Sequence, residues 1–167
     1  MELREALLAR RSVRAFTEEP VSDEMIDELM HAAMSGPSAC NVRPWEFYVI
    51  TDEVKRKELR RATLFTRYSA PLIIAVCGRA EGPVAIAKDF WVQDCSAATE
   101  NILLRVTDLG LGAVWCGIWP NNTAAEKVRT VLDLPKKILP LNLIFIGHPA
   151  EAPEPLDQYD ASRVHRV

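Results

Sequence analysis

Long apolar runs are missing from this chain of 167 residues. The longest, Leu72–Cys77, falls far short of the roughly 20 residues that a membrane-spanning helix needs. The opening residues, MELREALLARRSVR, place Glu2, Arg4 and Glu5 where a secretory leader requires apolar residues, so a cytoplasmic protein is expected. Histidine is scarce. His31, His148 and His165 have no metal-like partner at helical spacing, which argues against a zinc or iron enzyme. The four cysteines, Cys40, Cys77, Cys95 and Cys116, are scattered and form no C-x-x-C pair. That spacing predicts reduced, mostly buried thiols rather than a disulfide frame. Charge of one sign is also lacking: Lys+Arg 20 against Asp+Glu 23 leaves a net −3, which gives no support to a nucleic-acid surface. Neither a G-x-S-x-G elbow nor a Walker loop is present.

What is present reads as an α+β chain. Hydrophobic residues make up 49% and charged residues 26%, an ordinary globular composition that suits one domain over 1–167. Leu3, Leu7 and Leu8 give a first helix an apolar face that ends near Arg10. A second helix follows Ser22, a good N-cap, with Met25, Ile26, Leu29, Met30 and Ala33 inward and Gly36-Pro37 as its stop. Strands are expected at Trp45–Ile50, at 72–77 (buried on both faces), at Ala113–Cys116 and at Leu141–Ile146. Further helices are expected at about Glu53–Leu64, Val84–Asp108 and Ala124–Leu132, with Gly110 and Gly112 ending the longest. The segment 149–167 has little periodicity and reads as a C-terminal arm.

Three segments have the composition of binding elements. Arg10-Arg11-Ser12-Val13-Arg14 gathers three guanidiniums and a hydroxyl, donors suited to phosphate. It also reads as a solvated basic helix end. The loop Pro37-Ser38-Ala39-Cys40-Asn41-Val42-Arg43-Pro44 offers small and amide side chains between a helix and a strand. A plain turn is the alternative there. The stretch 110–120, GLGAVWCGIWP, contains G-x-G, but a helix precedes it and a strand follows, the reverse of a dinucleotide fingerprint. What remains is an apolar strand leading to Gly117, whose backbone can approach a flat ligand. Cys116 has no evident activating His and reads as an inert thiol. Asp89 and Asp94, five apart in the sequence, read as capping or salt-bridge residues rather than an acid–base pair.

Taken in order, RRSVRAF at 10–16, PSACNVRPWEFYVI at 37–50, NILLRVTDLGLGAVWCGIWP at 101–120 and LPLNLIFIGHPAE at 139–151 resemble the nitroreductase family of FMN-dependent oxidoreductases. The resemblance implies a mixed, mostly antiparallel sheet enclosed by helices and an intertwined homodimer with FMN at the subunit interface. It implies that Arg10, Arg11, Ser12 and Arg14 hold the FMN phosphate and the polar edge of the ring. Pro37, Ser38, Ala39 and Asn41 match a loop given to the flavin of the other subunit. Trp115, Cys116 and Gly117 match the segment lying against the isoalloxazine, where a backbone N–H faces N5. No catalytic side chain is implied, because flavin N5 carries the chemistry.

The chain departs from the family pattern in two places. Members carry a basic residue near the C-terminus that completes the phosphate site. Here Gln158 stands close to its expected place, with Arg163 as the substitute and Arg166 as the alternative. Little room is left between Gly78 and Phe90 for a helical insertion over the flavin. The activity implied is ping-pong transfer of reducing equivalents from NADH or NADPH to a small organic acceptor such as a nitroaromatic, quinone or enone. Two other readings stand beside it: a specialised relative (dehalogenase, dehydrogenase or flavin-destroying enzyme) and a flavin-binding regulatory protein without turnover.

Overall fold

The apolar stretch at 72–77 becomes an interior strand, and its period of two divides the core into two faces. The computed structural model describes residues 1–79, 85–151 and 153–167. In chain order the elements are α1 (Leu3–Ala9), α2 (Asp23–Met34), β1 (Trp45–Ile50), α3 (Glu53–Leu59), β2 (Leu72–Arg79), α4 (Trp91–Asp108), β3 (Gly112–Gly117), α5 (Asn122–Leu132) and β4 (Ile138–Gly147). The strands form one four-stranded sheet in the order β1-β2-β4-β3, with antiparallel neighbours throughout. A parallel bridge between Ser12 and Ala113 adds the mixed character.

Leu72, Ile74 and Val76 of β2 point to a core shared with Ile26, Leu29 and Ala33 of α2 and Ala98 and Ile102 of α4. The alternate residues Ile73, Ala75 and Cys77 meet Leu59 of α3 and Ala124 and Val128 of α5 on the other face. Helices therefore cover both sides of the sheet, and β2 is fully buried up to Cys77. Inside β4, Pro140 cannot donate to the ladder, and the β2–β4 register shifts between Val76 and Cys77. Leu141 then turns its carbonyl to the end of β3, where it accepts from both Ile118 and Trp119 N–H at 2.9 and 3.0 Å.

Most helix boundaries follow the capping chemistry. Ser22 Oγ accepts from Met25 N–H at 3.3 Å, and Asp52 and Asn121 cap α3 and α5 in the same way. Gly110, at φ 72°, ends α4 in a Schellman motif. Leu111 N–H reaches the Val106 carbonyl at 2.9 Å and Gly110 N–H that of Thr107 at 3.1 Å.

Four expectations need correction. The helix expected to reach Leu64 stops at Leu59, because the buried Thr66 hydroxyl takes the Arg60 carbonyl and the Thr63 N–H. The helix expected from Val84 starts at Trp91 after a 3₁₀ turn at Ala85–Phe90; Val84 itself lies outside the described residues. Gly112 does not end α4 but opens β3, where an added Cβ would sit 2.7 Å from Val13 Cγ1. Leu3 and Leu7 of α1 do not face the core; they are exposed, and only Ala6 of that helix is buried.

Candidate functional site

Residues 10–14 leave α1 and run beside β3. Val13 N–H donates to the Ala113 carbonyl at 2.8 Å, so residue 113 points its backbone groups away from β4. Because that direction alternates along an antiparallel edge strand, Trp115 and Gly117 turn their N–H and C=O groups to the same open side. At Gly117 an added Cβ would meet nothing within 4 Å. The face of the strand at Gly117 is therefore open, with polar main chain along the adjoining edge.

The guanidiniums of the first segment differ in their engagement. Arg10 Nε lies 3.5 Å from Glu100 Oε1. Glu100 has a raised pKa because burial against the helix disfavours its charge, and the Arg10 charge opposes that shift. Arg11 donates only to the Glu154 carbonyl and Arg14 only to that of Ser12, each at 3.3 Å. Among the described residues neither has an acidic partner. Arg14 also lies near enough to Cys116 to oppose the burial that pushes its thiol up to about 12. Cys116 Sγ donates to the Phe65 carbonyl at 3.1 Å, so it is a protonated, hydrogen-bonded thiol. The first and third segments thus form one constellation of unpaired cations, a hydroxyl and open main chain. Such a set can take a flat heteroaromatic ligand with an anionic tail.

The second segment lies elsewhere. Ser38 Oγ accepts from Arg43 N–H at 3.0 Å, and Arg43 Nε donates to Asn41 Oδ1 at 2.9 Å. Ala39 N–H donates to Asp94 Oδ1 at 2.9 Å, which makes Asp94 a cap on this loop. Cys40, Asn41 and Arg43 all have φ between 50° and 54°, strained for side-chain-bearing residues. The loop enters β1 at Trp45, opposite Gly78, whereas residues 12–13 meet β3 beside the Ile146 end of β4. The two segments therefore occupy opposite edges and opposite ends of the sheet. Three inter-strand spacings, about 14 Å, separate them sideways, and a comparable distance separates them lengthwise. Among the described residues no hydrogen bond or ion pair joins them.

The chain matches the model of the "Nitroreductase family" over residues 7–66 and 65–148. It is 38% identical over 167 residues to a Methanothermobacter thermautotrophicus protein provisionally named NADH dehydrogenase/NAD(P)H nitroreductase, covering 99% of this chain and 86% of that one. A similarly named protein from Parabacteroides distasonis superposes with a TM-score of 0.92 at 37% identity, covering 98% of this chain and 96% of that one. An FMN-dependent nitroreductase from Clostridium difficile gives a TM-score of 0.89 at 28% identity and 98% coverage of each chain. The chain belongs to the nitroreductase family.

Within this nitroreductase-family chain, Arg163 stands apart from both segments. It is 85% exposed in the tail and paired with Asp160 at 3.1 Å. Arg166 is exposed as well. The tail nevertheless passes the first segment, since Leu156 N–H donates to the Leu8 carbonyl at 3.1 Å. Sequence reasoning missed the supporting residues Arg43, Glu100 and Phe65. Arg43 was within reach, because a polar side chain two residues from Asn41 in a Pro-bounded loop can bond it locally. Glu100 and Phe65 carried no such signal, because their roles arise only from tertiary contact.

Proposed function

We propose that this nitroreductase-family chain is an FMN-dependent oxidoreductase that takes reducing equivalents from NADH or NADPH and passes them to a small organic acceptor in alternating half-reactions. FMN, when bound, supplies the centre that accepts and returns hydride. The names of the relatives support the cofactor and the donor. The observation that carries the reading is the juxtaposition of the unpaired Arg11 and Arg14 and the Ser12 hydroxyl with the open main chain at Trp115 and Gly117.

In this reading Arg10, Arg11, Ser12 and Arg14 hold the phosphate and the polar ring edge. Guanidinium charge near that edge favours the anionic reduced ring. Trp115, Cys116 and Gly117 line the ring, with the Gly117 main chain free to approach it closely. Pro37, Ser38, Ala39 and Asn41 serve the flavin of a second copy, a role consistent with their distance from Arg14 across the sheet. Arg163, or Arg166 in its place, reaches a phosphate from the arm 149–167, which packs on the partner. The whole of 1–167 then acts as one domain in a homodimer. The four unpaired cysteines suit a reducing cytoplasm.

The test is the visible spectrum of the purified protein before and after anaerobic addition of NADPH or NADH. Flavin bands that bleach are the expected result. A protein that takes up no FMN would refute the site, and bound flavin that never bleaches would refute the enzyme.

A further inference from the structure

Next to the Gly117 edge lies a second feature, a cleft of about 800 Å³ between the 60–67 turn and the start of α5. Its charged lining is of one sign: Arg60, Arg61, Arg67 and Lys127. Elsewhere on the molecule, basic residues such as Lys57, Arg79, Arg105 and Arg129 are paired with carboxylates. Among the described residues these four have no acidic partner. Their one side-chain hydrogen bond among the described residues runs from Arg60 to the Arg67 carbonyl at 3.3 Å, and no carboxylate stands within ion-pair distance, although Arg61 and Lys127 also border a neighbouring hollow with Glu58 and Glu126.

The helix adds to this. α5 has no acidic residue in its first turn, and its N-cap Asn121 satisfies Ala124 N–H. Asn122 and Thr123 N–H groups remain at the positive end of the helix, and both Asn121 and Thr123 line the cleft. The rest of the wall is largely apolar and includes two aromatic rings. Phe65 is 74% and Trp119 37% exposed, unusual for such side chains, and both border the cleft. Trp119 is held edge-on against the buried Trp91, with ring centroids 5.3 Å apart.

We infer that this cleft is an anion subsite that receives the phosphate or carboxylate of the small molecule seated at the Gly117 edge. This rests on the reading of that edge as the flavin site. Unpaired cations around a concave, partly aromatic cleft, with a helix N-terminus aimed into it, form a receptor for an aromatic anion. Two sources supply that chemistry: the phosphates of the nicotinamide donor and an acidic group on the acceptor.

The experiment compares wild-type holoenzyme, saturated with FMN, with the Arg61→Ala/Lys127→Ala double variant. Both residues are exposed, so the fold tolerates the change. Calorimetric titration with inorganic pyrophosphate is expected to show binding to the wild type that weakens about tenfold in the variant. The kcat/KM ratio for 4-nitrobenzoate over 4-nitrobenzyl alcohol reads the acceptor. The ratio for NADPH over phosphate-free dihydronicotinamide riboside reads the donor. One of these two ratios is expected to fall about tenfold in the variant, and which one falls names the source. Wild type that binds no pyrophosphate, or two ratios that both change less than threefold, overturns the inference while leaving the flavin reading intact. A variant that loses its FMN also overturns it, since the cleft then holds the cofactor's own phosphate. Wild type without FMN would instead refute the underlying reading.

Discussion

Burial silences three of the four thiols. Cys95 and Cys116 are each pushed up to about 12 and Cys77 is pushed up further, in every case mainly by loss of hydration. The folded state therefore keeps protons that the unfolded chain releases near the ordinary thiol pKa of 9.0. The stabilising contribution is complete below that value and is lost as pH rises above it. Thermal melts should thus show a lower Tm at pH 10.5 than at pH 8, and a shallower drop in Cys95→Ala. An equal drop in both proteins would contradict the assignment. A thiol reagent should label at most one cysteine, Cys40, before unfolding. Inert thiols were legible in the scattered spacing, and so was the cap at Ser22. Leu3 and Leu7 were misleading, because an apolar helix face says that something covers it without saying whether the cover is its own chain.

At the scale of elements, β3 joins the fold to the site, and its two end glycines separate the two functions. Gly112→Ala would drive a Cβ to 2.7 Å from Val13 Cγ1 and push the Arg10–Arg14 segment off the strand. Overpacking of that kind costs about 1–3 kcal/mol, so a lower Tm and weaker FMN binding are both expected. Gly117→Ala meets no atom of this chain within 4 Å, so stability of the flavin-free protein should change by less than about 0.5 kcal/mol. FMN affinity should still fall if the ring occupies that space as proposed. Gly117→Ala with unchanged FMN affinity, measured by fluorescence titration, would contradict the placement. All four strands were readable from period and composition. The early end of α3 was not, because it depends on a hydroxyl, Thr66, that reaches back from beyond the turn. Nor was the strand start at Gly112, whose neighbour Val13 is distant in sequence. The cationic cleft escaped notice for the same reason: Arg60, Arg61, Arg67 and Lys127 come from two segments that meet only in three dimensions.

At the scale of the molecule, the proposed FMN site needs two copies. The 37–41 loop and the Arg10–Arg14 segment stand diagonally across it, and the exposed surface of one chain includes Leu3, Leu7, Leu156 and Tyr159. The tail from residue 153 onward is exposed throughout. The central claim is that one FMN site draws residues 10–14 and 115–117 from one chain and the loop 37–41 from another. Mixed dimers test it most directly. Arg11→Glu/Arg14→Glu chains and Ser38→Ala/Asn41→Ala chains, each with its own affinity tag, would be co-expressed and the heterodimer purified. Its FMN content would then be measured against both parent homodimers. Both homodimers should be nearly FMN-free, and the heterodimer should hold one FMN, bleached by NADPH, because one of its two sites carries no substitution. A heterodimer as empty as its parents would contradict the shared site.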